Sequence, residues 1–204
     1  MKLPVPYHKQ TTELNCGPNV LRMVLHYLEK DYGIKALEKI IELREGKAVQ
    51  TIKLAIAAAK LGFPVSFFSK SIYSDKNHKK LDFYKKYGEI EIEESKKLVE
   101  EAKIVGIKLE EKSISLNEVL SYLTKDSIPI ILLDWNIINN KPEKGYQGHF
   151  VPIIGHSNQA VYVHSQFGSE PAPFLEIKKE IFDRARKARG TDEDIAVIYR
   201  KNSL

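Results

Sequence analysis

The apolar residues change period partway along the chain, and that change narrows the folds open to it. Before about residue 115 they recur at helical spacing; after it they come in short continuous runs bounded by turn residues. Helices are predicted from Cys16 to Lys30, from Ile34 to Arg44 with a stop at Gly46, and from Thr51 to Leu61 with Thr51 as N-cap and Gly62 as stop. Val65 to Phe68 is a short strand. A lysine- and glutamate-rich stretch over residues 70 to 106 follows, with helical patterning at Leu81 to Tyr87 and Ser95 to Ile104. Ser115-Leu-Asn-Glu118 is a capping box opening a helix to about Thr124. Strands then dominate: Ile128 to Leu133, Phe150 to Ile154, Ala160 to Val163 and Ile195 to Tyr199, interrupted by a helix from Ile177 to Ala188.

Helices first and a mainly antiparallel strand set second, without regular alternation, indicate an α+β fold and argue against a doubly wound sheet. With 204 residues, 43% of them apolar, the chain can bury about 70% of its unfolded surface. One domain over residues 1–204 is expected, with a helical insert around 70–112. There is no Walker A loop and no Gly-x-Gly-x-x-Gly turn. The net charge of +5 comes from interleaved signs, as in Glu89 to Lys103, which reads as solvated helix faces and argues against a nucleic-acid partner. The basic run Arg184 to Arg189 reads as a solvated helix end complementing the dipole. No apolar stretch resembles a signal peptide or a bilayer span, so a cytoplasmic location and no membrane partner are expected.

The chain has a single cysteine, Cys16, which removes disulfides and a thiolate metal core. No metal site and no cofactor are expected. A lone buried thiol is often plain packing, yet Cys16 opens a helix, where N–H groups and the dipole favour the thiolate. Gln10, six residues upstream, has an amide able to donate to an oxyanion beside the sulfur, together with the Cys16 backbone N–H. A thiolate also needs an imidazole. Of the six histidines, His149 stands out because it follows Gly145-Tyr-Gln-Gly148 and opens an apolar strand. His26 falls mid-helix, His78 reads as solvated, and His156 and His164 read as structural histidines whose spacing from His149 fits no metal motif. Tyr73, Phe83, Tyr84 and Tyr87 would either wall a cleft or, at helical spacing, fill a core; the core reading is favoured.

Gln10, Asn15-Cys16-Gly17-Pro18, Met23 and Gly148-His149-Phe150-Val151 through Gly155 together resemble the bacteriocin-processing, double-glycine-leader cysteine peptidase family and its stand-alone relatives in the papain-like superfamily. The likeness extends over most of the chain but not over residues 70 to 112. It implies a papain-like fold acting on a peptide or protein, with Cys16 as nucleophile, His149 as general base and then acid, and Gln10 as oxyanion donor. That family's aspartate, followed by proline, is expected roughly sixteen residues after the histidine, where this chain has Ser165-Gln166. A serine oxygen or the Gln166 carbonyl would hold the imidazole but bring it no negative charge. Hydrolysis, acyl transfer or deamidation through the same thiol, and a binding module that performs no chemistry, all stay open, as does the oligomeric state.

Overall fold

The computed structural model describes residues 2–73, 76–88, 92–165 and 172–202. Three helices come first: α1 (Cys16–Leu28), α2 (Ile34–Ile41) and α3 (Thr51–Lys60). Helix α1 buries Val20, Leu21, Val24, Leu25 and Leu28, the stripe its periodicity announces. Strand β1 (Val65–Ser69) follows, then α4 (Asp82–Tyr87), α5 (Ile92–Ile104) and β2 (Lys108–Glu111). The capping box opens α6 (Leu116–Ser121), where Ser115 Oγ accepts the Glu118 N–H at 3.1 Å. The second half supplies β3 (Ser127–Asp134), the short α7 (Trp135–Ile138), β4 (Gly148–His156), β5 (Ala160–Ser165), β6 (Ala172–Lys178), α8 (Lys179–Arg186) and β7 (Ile195–Tyr199).

All seven strands form one sheet in the order β2-β1-β7-β3-β4-β5-β6. Each neighbouring pair is antiparallel except β1 and β2, which are parallel. Strand β3 lies at the centre and is buried along its whole length, so both faces of the sheet are covered there. This is the α+β arrangement expected from the sequence, with helices first and a mainly antiparallel sheet after.

Some elements depart from expectation for physical reasons. Strand β2 has the sequence Lys-Leu-Glu-Glu on an exposed sheet edge, so it lacks the apolar alternation that marks a strand. Strand β6 takes the chain to Lys178, and α8 begins only at Lys179, not at Ile177. Thr51 is the first helical residue of α3, not its N-cap, and its hydroxyl caps nothing. Arg186 is buried, not solvated: it donates to Asp183 at 2.7 Å and to the Ile114 carbonyl at 2.9 Å, with Glu193 3.8 Å away. That buried guanidinium ties α8 to the loop before β7.

Candidate active site

Helix α1 begins at Cys16, and strand β4 brings His149 in one residue after its start. The two residues line one cleft, with about 1020 Å³ of free space counting its open mouth. The register fixes His149 opposite Leu133 on β3, and its ring meets the Trp135 indole edge to face at 4.7 Å. Gly17 lets the helix start approach this closely. A Cβ there would meet Val49 Cγ1 at 2.4 Å and the Phe150 ring at 3.3 Å.

The backbone N–H groups of Phe150, Gly17 and Cys16 itself favour the thiolate of Cys16, in that order. Burial nevertheless outweighs them and pushes the thiol pKa up. The helix start therefore does not deliver the low-pKa thiolate expected from the sequence, because desolvation of the charge is the larger effect. Burial also drives the His149 imidazole down to about 3. Both shifts favour the uncharged forms, a neutral thiol and a neutral imidazole lining one cleft.

The other expected site residues are placed as follows. The Gln10 amide Nε2 donates to the Thr12 carbonyl within its own loop, and Glu13 and Leu14 of that segment line the cleft instead. The loop is held rigidly: buried Asn15 donates to Thr11 Oγ1 and Glu38, and buried Asn19 donates to the His8 carbonyl at 2.7 Å. Ser165 ends β5, is buried, and accepts the Tyr7 hydroxyl on its carbonyl at 3.3 Å. Strand β5 pairs with β4, the strand that carries His149, and their pairing reaches Ile153 and Val163, two residues before Ser165. Gln166 lies outside the described residues.

His164 is a satisfied structural histidine. Its Nε2 lies 2.8 Å from the Val5 carbonyl, and its Nδ1 accepts the Phe174 N–H at 3.2 Å. Among the described residues, one group brings potential metal-ligand atoms within 4.8 Å of one another: His8, His26 and Asp31. The Arg22 guanidinium already grips both Asp31 oxygens, at 2.8 and 2.6 Å.

The far end of the cleft was not legible in the sequence. Asp192 and Asp194 reach it from the loop before β7, and His78, which reads as solvated, is buried 3.1 Å from Asp192. His78 stacks on Tyr84 at 4.9 Å, and Tyr84 stacks on Tyr146 at 5.5 Å. Phe83 and Tyr84 therefore wall the cleft instead of filling a core. Gly190, Asp192 and Glu193 all take left-handed backbone angles, which folds this loop tightly enough to present two carboxyls. Burial and the neighbouring Asp192 push the Asp194 carboxyl up to about 7, against smaller opposing effects of Ser69, Thr51 and His78. A signal existed in Thr191-Asp-Glu-Asp194, but acidic runs between elements are ordinarily solvated.

Comparison with known proteins adds two kinds of relation. A family model described as guanylylate cyclase matches residues 5–198. Guanylyl cyclase 1 of Arabidopsis thaliana is 24% identical over 98% of this chain and 77% of its own length. Among solved structures, the peptidase domain of Streptococcus ComA, a bi-functional ABC transporter involved in a quorum sensing pathway, superposes with a TM-score of 0.51. It is 17% identical, and the match covers 94% of this chain and 95% of that domain. A C39-like peptidase structure from Bacillus anthracis gives a TM-score of 0.53 at 15% identity, covering 99% of this chain and 100% of that one. The fold is thus that of these papain-like peptidases. No helix among the described residues is long and apolar enough to cross a membrane.

Proposed function

The chain belongs to the guanylylate cyclase family, and from that premise together with its cleft we propose that it is a thiol hydrolase acting on a peptide amide. One observation carries this reading: the Cys16 sulfur sits on the backbone N–H of Phe150, next in sequence to His149, and both side chains line the cleft. The sulfur attacks the carbonyl carbon while its proton passes to the neutral His149 ring. The N–H groups of Cys16 and Gly17, freed from the sulfur's lone pairs, serve the developing oxyanion. The C–N bond breaks as His149 returns the proton to the leaving amine. Water then gives a proton to His149 and attacks the thioester, and the sulfur leaves and recovers that proton. Gln10 joins as an oxyanion donor only by turning its amide away from Thr12.

The family description favours a second reading, a guanylyl cyclase. A nucleoside triphosphate brings several negative charges, and among the described residues lining the cleft there is no Lys or Arg, whereas Glu13, Asp192 and Asp194 are present. The charge of the cleft therefore supports the hydrolase reading. The test is intact-mass detection of an acyl adduct after mixing with peptide thioesters, beside GTP turnover with magnesium or manganese. The hydrolase reading expects an adduct lost in Cys16→Ala and turnover lost in His149→Gln. Cyclic nucleotide formation that survives Cys16→Ala, with no adduct, overturns it.

A further inference from the structure

The cleft also has acidic lining that the proposed chemistry does not explain. Asp192 and Asp194 face it, and no Lys or Arg among the described lining residues answers them. His78 lies 3.1 Å from Asp192 and acts least on Asp194, whose charged form is favoured first by the Ser69 and Thr51 hydroxyls; the Thr51 Oγ1 makes no hydrogen bond of normal geometry among the described residues. An independent feature points the same way. Ser95 lines the same cleft, is only 4% exposed, and its Oγ makes no hydrogen bond among the described residues. A buried hydroxyl left without a partner costs roughly 1–3 kcal/mol, so such a group marks a place a ligand completes.

A cation with several donors answers both the carboxyls and the hydroxyls. A metal ion fits poorly, because the ligand atoms of Asp192, Asp194 and His78 do not converge within 4.8 Å as those of His8, His26 and Asp31 do. A guanidinium fits better on two counts. It is planar and carries five N–H donors for carboxylate and hydroxyl oxygens, and it spans a wider set of acceptors than an ammonium.

We propose that Asp194 and Asp192, with the cleft-lining hydroxyls of Thr51 and Ser95, form a subsite for an arginine side chain of the substrate. The proposal rests on the thiol-hydrolase reading for its meaning, since it names the class of peptide that Cys16 meets. The high carboxyl pKa of Asp194 agrees with it: a cation seated there supplies the charge that burial withholds.

The experiment separates this subsite from the hydrolase reading by measuring binding and acylation independently. Calorimetry on the intact chain compares Nα-acetyl-arginine amide with its lysine and citrulline counterparts and with guanosine, which also offers paired N–H donors to a carboxylate. Arginine amide is expected to bind at least about tenfold tighter than neutral citrulline amide, with lysine between them. Asp194→Asn, nearly isosteric, should bring arginine to the citrulline value, and Ser95→Ala should lower its affinity by a smaller factor. Equal binding of arginine and citrulline, an unchanged arginine affinity in Asp194→Asn, or guanosine binding more tightly than arginine overturns the proposal. Acylation of Cys16 by paired arginine and citrulline peptide thioesters is the second arm. Arginine-selective binding with no adduct upholds the subsite and sinks the hydrolase reading; adducts at equal rates from both peptides do the reverse.

Discussion

The backbone N–H of Phe150 reaches the Cys16 sulfur, so the thiol is docked on the strand residue next to His149. A strand N–H and a helix start thus converge on one sulfur, a geometry that ordinarily stabilises thiolate. Burial of both partners reverses the outcome, raising the thiol and lowering the imidazole. The resting pair is therefore uncharged.

Alkylation of Cys16 should accordingly be slow at pH 6 and rise with pH through a value above the ordinary thiol range of about 8.5. His149, at about 3, stays neutral from pH 4 upward and contributes no acid limb there. Iodoacetamide labelling followed by mass spectrometry from pH 5 to 10 measures this directly. Rapid labelling at pH 6 would show that an ion pair exists after all.

His149 also makes stability depend on pH. Its folded-state value of about 3 lies below the unfolded value of about 6.5, so the unfolded chain takes up the proton first. The resulting stability is complete above pH 6.5 and is lost as pH falls toward 3. Urea unfolding at pH 7 and pH 4.5 should show a drop that is smaller, by about 1–3 kcal/mol, in His149→Gln than in the parent. The same drop in both proteins assigns the acid sensitivity to other groups.

The fold was legible where burial writes a period into sequence. Helix α1 and strands β3, β4 and β7 have cores of unbroken or regularly spaced apolar residues, and each falls where expected within a few positions. Strand β2 escaped because an edge strand made of Lys108, Leu109, Glu110 and Glu111 buries little and pairs in parallel with a distant partner. Of the cleft, Cys16 and His149 were legible because each stands at the start of an element beside glycine. The Asp192 and Asp194 end was not, since its burial comes from His78, Tyr84 and Tyr146, brought together from segments far apart in sequence. Buried Arg186 escaped for the same reason: its partners Ile114 and Glu193 are tertiary neighbours that a basic helix end does not announce.

Gly17→Ala tests how tightly the helix start must approach the sheet. The new methyl would sit 2.4 Å from Val49 Cγ1, with Leu54 and Phe150 each at 3.3 Å, so several groups must shift together. A loss of about 1–3 kcal/mol is expected despite alanine's better helix propensity, together with reduced acylation of Cys16. Chemical denaturation gives the first quantity and intact-mass kinetics the second. Unchanged stability would mean that the cleft wall at Val49 yields freely.

Gln10→Ala should lower acylation by less than about tenfold, well short of the 10²–10³ lost when a preorganised oxyanion donor is removed. The reason is that the Gln10 Nε2 is committed to the Thr12 carbonyl, so it is not poised beside the sulfur. Steady-state kcat/KM on a peptide thioester decides the matter. A loss of a hundredfold or more would show that the loop rearranges on substrate binding and that Gln10 is a full member of the site.

Ser165→Asp puts a carboxylate where the peptidase pattern expects one, sixteen residues after His149 on the strand that pairs with β4. A negative charge there favours the imidazolium and, through it, the Cys16 thiolate. Against the parent, the variant's alkylation profile should move to lower pH by about one unit or more, and labelling at pH 6 should rise severalfold. Ser165 is buried, so the new carboxyl also costs stability, and circular dichroism before labelling must show a folded chain. Ser165→Asn, the same shape without charge, is the control: it should leave the profile in place. If the two variants behave alike, charge at this position does not reach the imidazole, and the third catalytic position must be sought elsewhere around His149.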